Sequence, residues 1–198
     1  MKTLLINKTK KTKPQINLQV QRVEANIWNE LGFFKHHYLT HELNPSAKCF
    51  LFTWDDVPVA FIAILNSPRR GKKFGQSVSR LVILPDYQGL GLSSIILNFC
   101  GGILKSLGDD YTLYMKTIHD KVGDFMERNS NWEATSYNGK IRSDKSAVSE
   151  GKRYQNRLTR KSYCYKYIGN AIYGYENILK PIKEMREDKF NKRQLSLF

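Results

Sequence analysis

Long apolar runs are missing from this sequence, and with them the roughly 18-residue stretch that a membrane-spanning helix requires. The apolar stretch within Met1–Asn7 is too short for a secretory signal peptide. Cysteine is scarce. Cys49, Cys100 and Cys164 stand far apart in apolar or aromatic surroundings, with no Cys-x-x-Cys among them. An odd, scattered set argues against a disulfide frame and a zinc site, and buried thiols are expected instead. These absences point to the cytoplasm. Acid is short as well: 18 Asp and Glu face 32 Lys and Arg, a formal charge of +14 with an isoelectric point near 9.7. Such a surplus favours a polyanionic partner, because each phosphate neutralised by Lys or Arg releases condensed counterions. No internal repeat or low-complexity linker is present. A chain of 198 residues, 41% of them hydrophobic, therefore reads as one cored domain with extra segments.

Periodicity places the elements. Residues 1–15 are basic and poor in apolar side chains. Ile16 to Val23 alternates as a strand, and a short helix is expected over Glu24 to Leu31, stopped by Gly32. Cys49–Thr53 and Pro58–Leu65 are apolar, β-rich runs joined at Asp55-Asp56, which predicts a hairpin. A basic loop follows, then a strand over Ser77–Leu84 and a helix from about Gly91 to Leu107. Tyr111–Ile118 is a further strand. Lys121–Asn129 is a short helix with Val122, Phe125 and Met126 on one face, and Trp132 opens another strand. Residues 138–161 read as a basic insertion, Ser162–Ile168 as a last aromatic strand, and 171–198 as a charged, helical tail. The domain proper is expected over 16–170.

The chemistry begins where the strand meets Pro85-Asp86-Tyr87-Gln88-Gly89-Leu90-Gly91. Two glycines one residue apart let the backbone approach a ligand closely. The helix that starts there offers unpaired N–H groups and a positive dipole end, together a cradle for a diphosphate. The run Gln88, Gly89, Leu90, Gly91, Leu92, Ser93 resembles, without a gap, the acyl-CoA pyrophosphate motif of the GNAT superfamily of N-acetyltransferases. The element order over Ile16–Ile168 is similar too. The resemblance implies an α/β (α+β) GNAT fold: a central mixed, twisted sheet with splayed parallel strands, flanked by helices. It also implies acetyl-CoA or another acyl-CoA as cofactor, with Leu81, Val82 and Ile83 on the strand that meets the thioester.

Three features bear on the acceptor. Phe34-Lys35-His36-His37-Tyr38-Leu39, Ser79-Arg80-Leu81-Val82 and Arg160-Lys161-Ser162-Tyr163 together resemble the Mom-type DNA-modification proteins of phages, relatives within the same superfamily. That resemblance implies modification of the exocyclic N6 amine of adenine in phage DNA, which evades host restriction. It implies His37, Tyr38, Ser79 and Arg80 as catalytic residues, with His37 as base and Tyr38 as proton donor. Asp120, Asp124 and Asp144 all remain candidates for an acidic member. Iron is associated with that family, but no ligand set can be assigned here.

Basic residues fall in two groups. Arg69, Arg70, Lys72 and Lys73 share one loop, while Lys152, Arg153, Arg157, Arg160 and Lys161 occupy the insertion. On one face they would make a groove for the phosphates of double-stranded DNA, with Tyr137, Tyr154 and Tyr163 interleaved to stack an extruded base. Last, Gln194-Leu195-Ser196-Leu197-Phe198 resembles the bacterial sliding-clamp-binding peptide. It implies that Gln194, Leu195, Leu197 and Phe198 contact the clamp and tether the enzyme at newly made DNA. The alternative expectation is an N-acetyltransferase acting on a protein or small-molecule amine with acetyl-CoA.

Overall fold

A computed structural model describes residues 17–37, 42–69, 71, 73–140 and 161–182, and the backbone of 193–195. The chain runs β1 (Leu18–Val23), α1 (Ile27–Glu30), β2 (Lys48–Trp54), β3 (Val57–Asn66), β4 (Phe74–Ile83), α2 (Leu92–Lys105) and β5 (Tyr111–Thr117). It continues through α3 (Asp120–Arg128), β6 (Trp132–Ala134), β7 (Tyr163–Tyr167) and β8 (Arg193–Leu195). The strands form one mixed sheet in the order β6-β7-β5-β4-β3-β2-β1-β8. β4 and β5 are parallel and the other recorded pairings antiparallel. This is the mixed α+β architecture expected from the resemblance.

Side-chain alternation sorts the core into two layers. Leu18, Val20, Phe50, Phe52, Ile62 and Ile64 point to one face, where α2 lays down Ile96, Leu97, Cys100, Ile103 and Leu104. Cys49, Leu51, Phe61 and Ala63 point to the other, against Trp28 and Phe33. Central strands buried on both faces lose the polar half of their alternation, which is why β2 and β3 read as continuous apolar runs. The hairpin between them turns at Asp55 and Asp56, both with positive φ (49° and 63°). Asp tolerates that region, and two such residues in succession match the right-handed twist of the strands. All three cysteines are buried thiols. Burial pushes Cys49 up to about 11 and Cys100 higher still, so neither is a nucleophile at neutral pH.

Two expectations change. β4 begins at Phe74, three residues before the predicted Ser77, because Phe74, Gly75 and Gln76 pair with Tyr111, Thr112 and Leu113 of β5. The tail is only partly helical where it is described, with Ile182 in a helix and the end extended. It makes a 3-10 turn at Glu176–Leu179, and then Arg193–Leu195 pairs along the edge of β1, Leu195 opposite Leu18. An open strand edge with unpaired N–H and C=O groups outcompetes an isolated short helix. Among the described residues, no helix is long and apolar enough to cross a membrane.

Close approach also explains a glycine inside α2. A Cβ at Gly101 would enter the ring of Tyr167, which packs across the helix from β7. Gly101→Val is therefore expected to cost about 1–3 kcal/mol by overpacking, read as a lower urea midpoint at unchanged slope. An unaltered midpoint would show that Tyr167 does not press on the helix there.

Candidate active site

A cleft opens where β4 and β5 stop pairing. Their parallel ladder ends at Ser77–Tyr114. Beyond it β4 stays paired to β3 as far as Ile83, while Tyr114 to Thr117 pair with β7. Each strand is held by its outer neighbour, so the two part and leave a cleft of about 360 Å³. Ser79 is the extra residue of a β-bulge, between Arg80 opposite Ala63 and Val78 opposite Ile64. A bulge bends its strand and adds twist, here at the start of the separation.

Strand alternation assigns the backbone of β4. The Leu84 N–H donates to Val59 O on β3, so the N–H groups of Ile83 and Leu81 face the cleft side. The turn that follows is braced from within. Gln88 Nε2 donates to Ile83 O at 3.0 Å, and Gln88 N–H to Pro85 O at 3.1 Å. Gly89 and Gly91 take φ of 83° and 80°, values that only glycine adopts without strain. The amides of Ser94 and Ile95 close onto Gly91 O. The N–H groups at Leu92 and Ser93, the first two of the helix, remain for a ligand at the cleft, as every α-helix start requires. Gln88, Gly89, Gly91, Leu92 and Ser93 line the cleft, as do Leu81, Val82 and Ile83. Leu90 instead packs against the core. This donor set, at a positive helix end and free of carboxylates, fits the diphosphate of a CoA-type cofactor.

His37 lines the same cleft, edge-on to Trp28 with ring centroids 5.8 Å apart. Burial, and secondarily the positive Arg80, lower its pKa to about 4, so the imidazole is neutral at physiological pH. Arg80 itself is not among the lining residues. Its guanidinium donates to Ser79 O at 2.9 Å and to Glu42 O at 3.1 Å, tying β4 to the segment after the histidines. Ser79 does line the cleft. Tyr38 lies outside the described residues.

Motif reading missed the opposite wall. Lys116 and Thr117 from β5, and His119, Lys121 and Val122 from the start of α3, line the cleft, with His36 beside His37. No local pattern marks them; the β5–β7 register brings them in. Asp120 accepts a hydrogen bond from the Tyr163 hydroxyl at 3.3 Å and is not in the lining. Among the described residues no group of three or more His, Cys, Asp or Glu stands ready to hold a metal.

The expected basic groove divides. Arg69 lies over the ring of Tyr114 at 4.1 Å, in a recess with Tyr137 on the sheet face away from α2. Lys73 lies over Phe74, on the α2 face. Arg70, Lys72, Lys152, Arg153, Arg157 and Arg160 lie outside the described residues, as does Tyr154. Lys161 sits over Tyr163. Tyr163 is no base-stacking ring: it is buried under α3, where a Cβ on Gly123 would strike it. Tyr137 is half exposed, with Lys140 over its ring at 5.3 Å. Of the terminal peptide, the backbone of Gln194 and Leu195 lies in β8, and Leu197 and Phe198 fall outside the described residues.

The model of the acetyltransferase (GNAT) family matches residues 16–123. Solved structures share the fold. Arabidopsis thaliana Naa50, in complex with a bisubstrate analogue, is 16% identical, with 77% of this chain and 99% of that one covered at a TM-score of 0.53. A GNAT acetyltransferase from Streptococcus pneumoniae is 14% identical, with 77% and 99% covered at 0.50. A spermidine N-acetyltransferase SpeG chimera involving Vibrio cholerae is 8% identical, with 76% and 95% covered at 0.54. No curated protein matches the chain.

Two measurements check the site. Gly89→Trp places a strained, bulky residue at the cradle and is expected to weaken CoA binding at least about ten-fold by calorimetry; unchanged affinity would mean the diphosphate sits elsewhere. Folding favours neutral His37, so its contribution to stability is complete above about pH 6.5 and is lost as pH falls towards about 4. His37→Gln should therefore flatten the loss of urea resistance across that window relative to the unsubstituted chain.

Proposed function

Since the chain belongs to the acetyltransferase (GNAT) family, we propose that it transfers an acyl group from an acyl-CoA to the exocyclic N6 amine of adenine in double-stranded phage DNA. On this reading it acts within the cytoplasm of a bacterial host, in the manner of the Mom-type proteins that its sequence resembles. The observation that carries the reading is the charge of the cleft. Among the described residues its lining includes Lys116, Lys121 and three histidines and not one Asp or Glu. A polyamine acceptor would meet repulsion there, whereas an acceptor carried on phosphates is attracted. Arg69 on Tyr114, and Lys140 on the half-exposed Tyr137, support the same partner, since ring-plus-cation surfaces suit bases and backbone together. The net charge of +14 agrees with it.

CoA, held by Gly89, Gly91 and the first amides of α2 with Gln88 bracing the turn, would supply the acyl group as a thioester. The Leu81 and Ile83 N–H groups face the cleft, where they donate to the oxygen on which charge develops. His37, neutral at physiological pH, accepts the proton that the amine loses, and Tyr38 returns one to the leaving thiolate. The adenine amine is a weak nucleophile because its lone pair is delocalised into the ring. Positioning and oxyanion stabilisation therefore outweigh base strength, which a base with a pKa of about 4 could not otherwise satisfy. The terminal peptide from Gln194 to Phe198 is the part we assign to a sliding clamp, which would require β8 to leave the edge of β1.

Mass spectrometry of nucleosides, from plasmid DNA of cells expressing the chain or its Gly89→Trp variant, tests the proposal. A new adenine species present with the former and missing with the latter is the expected result, and its mass identifies the group. Unmodified DNA beside abundant soluble protein would reassign the acceptor to a protein or small-molecule amine.

A further inference from the structure

A second cavity lies at the other end of β4 from the acyl-CoA cleft, where β2 and β4 begin and β3 ends. It measures about 290 Å³, near the lower end of the roughly 300–1,000 Å³ usual for ligand sites. Strand alternation puts Lys48, Gln76 and Tyr111 on the α2 face, in line with core residues Phe50, Val78 and Leu113.

Three observations make this cavity look like a site rather than a packing defect. First, among the described residues, Lys48 and Lys73 line it and no Asp or Glu does. Among the described residues neither lysine has a carboxylate within ion-pair distance; the pairs recorded are Lys105–Asp109 and Lys166–Glu133. Second, Gln76 is 3% exposed, and its side-chain carbonyl oxygen has no hydrogen-bond partner among the described residues. A buried acceptor without a donor carries a desolvation cost that native proteins seldom leave uncompensated. Third, positive charge continues behind the wall. Arg22, whose guanidinium lies over Phe50 at 5.1 Å, has buried Nε and Nη1 atoms without hydrogen-bond partners among the described residues. Burial, and then the nearby Arg22, lower the pKa of Lys48. The carboxylate that Arg22 feels, Glu24, is not among the lining residues. Cations gathered without a counter-charge are what a bound anion would neutralise.

We propose that this cavity binds a small phosphate monoester bearing hydroxyl groups, of the sugar-phosphate or mononucleotide class. The phosphate lies between Lys48 and Lys73, and a hydroxyl donates to Gln76 Oε1. A dianion answers both lysines, whereas a single carboxylate would leave one uncompensated. The stacked Phe74 and Tyr111 rings, 4.8 Å apart, form an apolar rim against the carbon skeleton.

Calorimetry with ribose 5-phosphate, on the full chain saturated with CoA so that the diphosphate cradle is blocked, tests this. Saturable binding is expected. Lys73→Ala, at an exposed loop position that folding does not need, should weaken it about ten-fold, as loss of one charge-assisted contact does. Gln76→Leu should weaken ribose 5-phosphate and leave inorganic phosphate unchanged. Absence of binding would overturn the proposal. So would binding that disappears when CoA is added, which would assign it to the cradle, or an equal loss in Lys166→Ala, which would mark it as bulk charge attraction.

Discussion

The separation of β4 from β5 is the constraint on which the rest of the molecule depends. A parallel pair that continued past Ser77–Tyr114 would close the cleft and leave the cradle facing backbone. It cannot continue, because both strands are committed outward: β4 to β3 through Ile83, and β5 to β7 through Thr117. The Ser79 bulge relieves the register where the strands diverge. The free edge of β4 then presents N–H groups to the space the separation creates, and α2 begins at its mouth. Fold and site are thus one arrangement of hydrogen bonds.

Electrostatics complete the arrangement. Among the described residues the cleft lining holds lysines and imidazoles and no carboxylate, so its field is positive. Burial holds His37 neutral, and the nearby positive Arg80 works in the same direction. Arg80, read from the sequence as a catalytic residue, acts at one remove. It ties Ser79 to Glu42 and lowers the pKa of His37, so losing it would disturb loop position and imidazole ionisation together. The loop from Arg69 to Lys73, which looks like a single basic patch in sequence, serves both faces of the sheet. Arg69 therefore belongs with the recess beside Tyr114, and Lys73 with the second cavity.

How much of the site could be read beforehand follows the range of the interactions. The cradle was legible because its information is contiguous: a strand, a proline, two glycines and a helix start act on their immediate neighbours. The hairpin at Asp55-Asp56 and the buried thiols were legible for the same reason, each being a property of local conformation or of apolar surroundings. Lys116, His119 and Lys121 were not, since no nearby residue distinguishes them from other surface lysines and histidines. Tyr163 misled, because an aromatic residue beside lysines looks the same in sequence whether its ring faces solvent or lies under Gly123.

By itself, then, the sequence determined the glycine turn at the start of α2, the family, the basic character and the order of nearly all the elements. These rest on backbone conformational preference, side-chain period and total charge, none of which needs a partner distant in the chain. The tertiary structure alone decided which wall faces the cradle, which faces Arg69 and Lys73 serve, that the end of the tail pairs with β1, and that a second cavity stands behind Gln76. Each of those depends on strand register and on the parity of a residue within its strand. A shift of one position would send every such side chain to the opposite face.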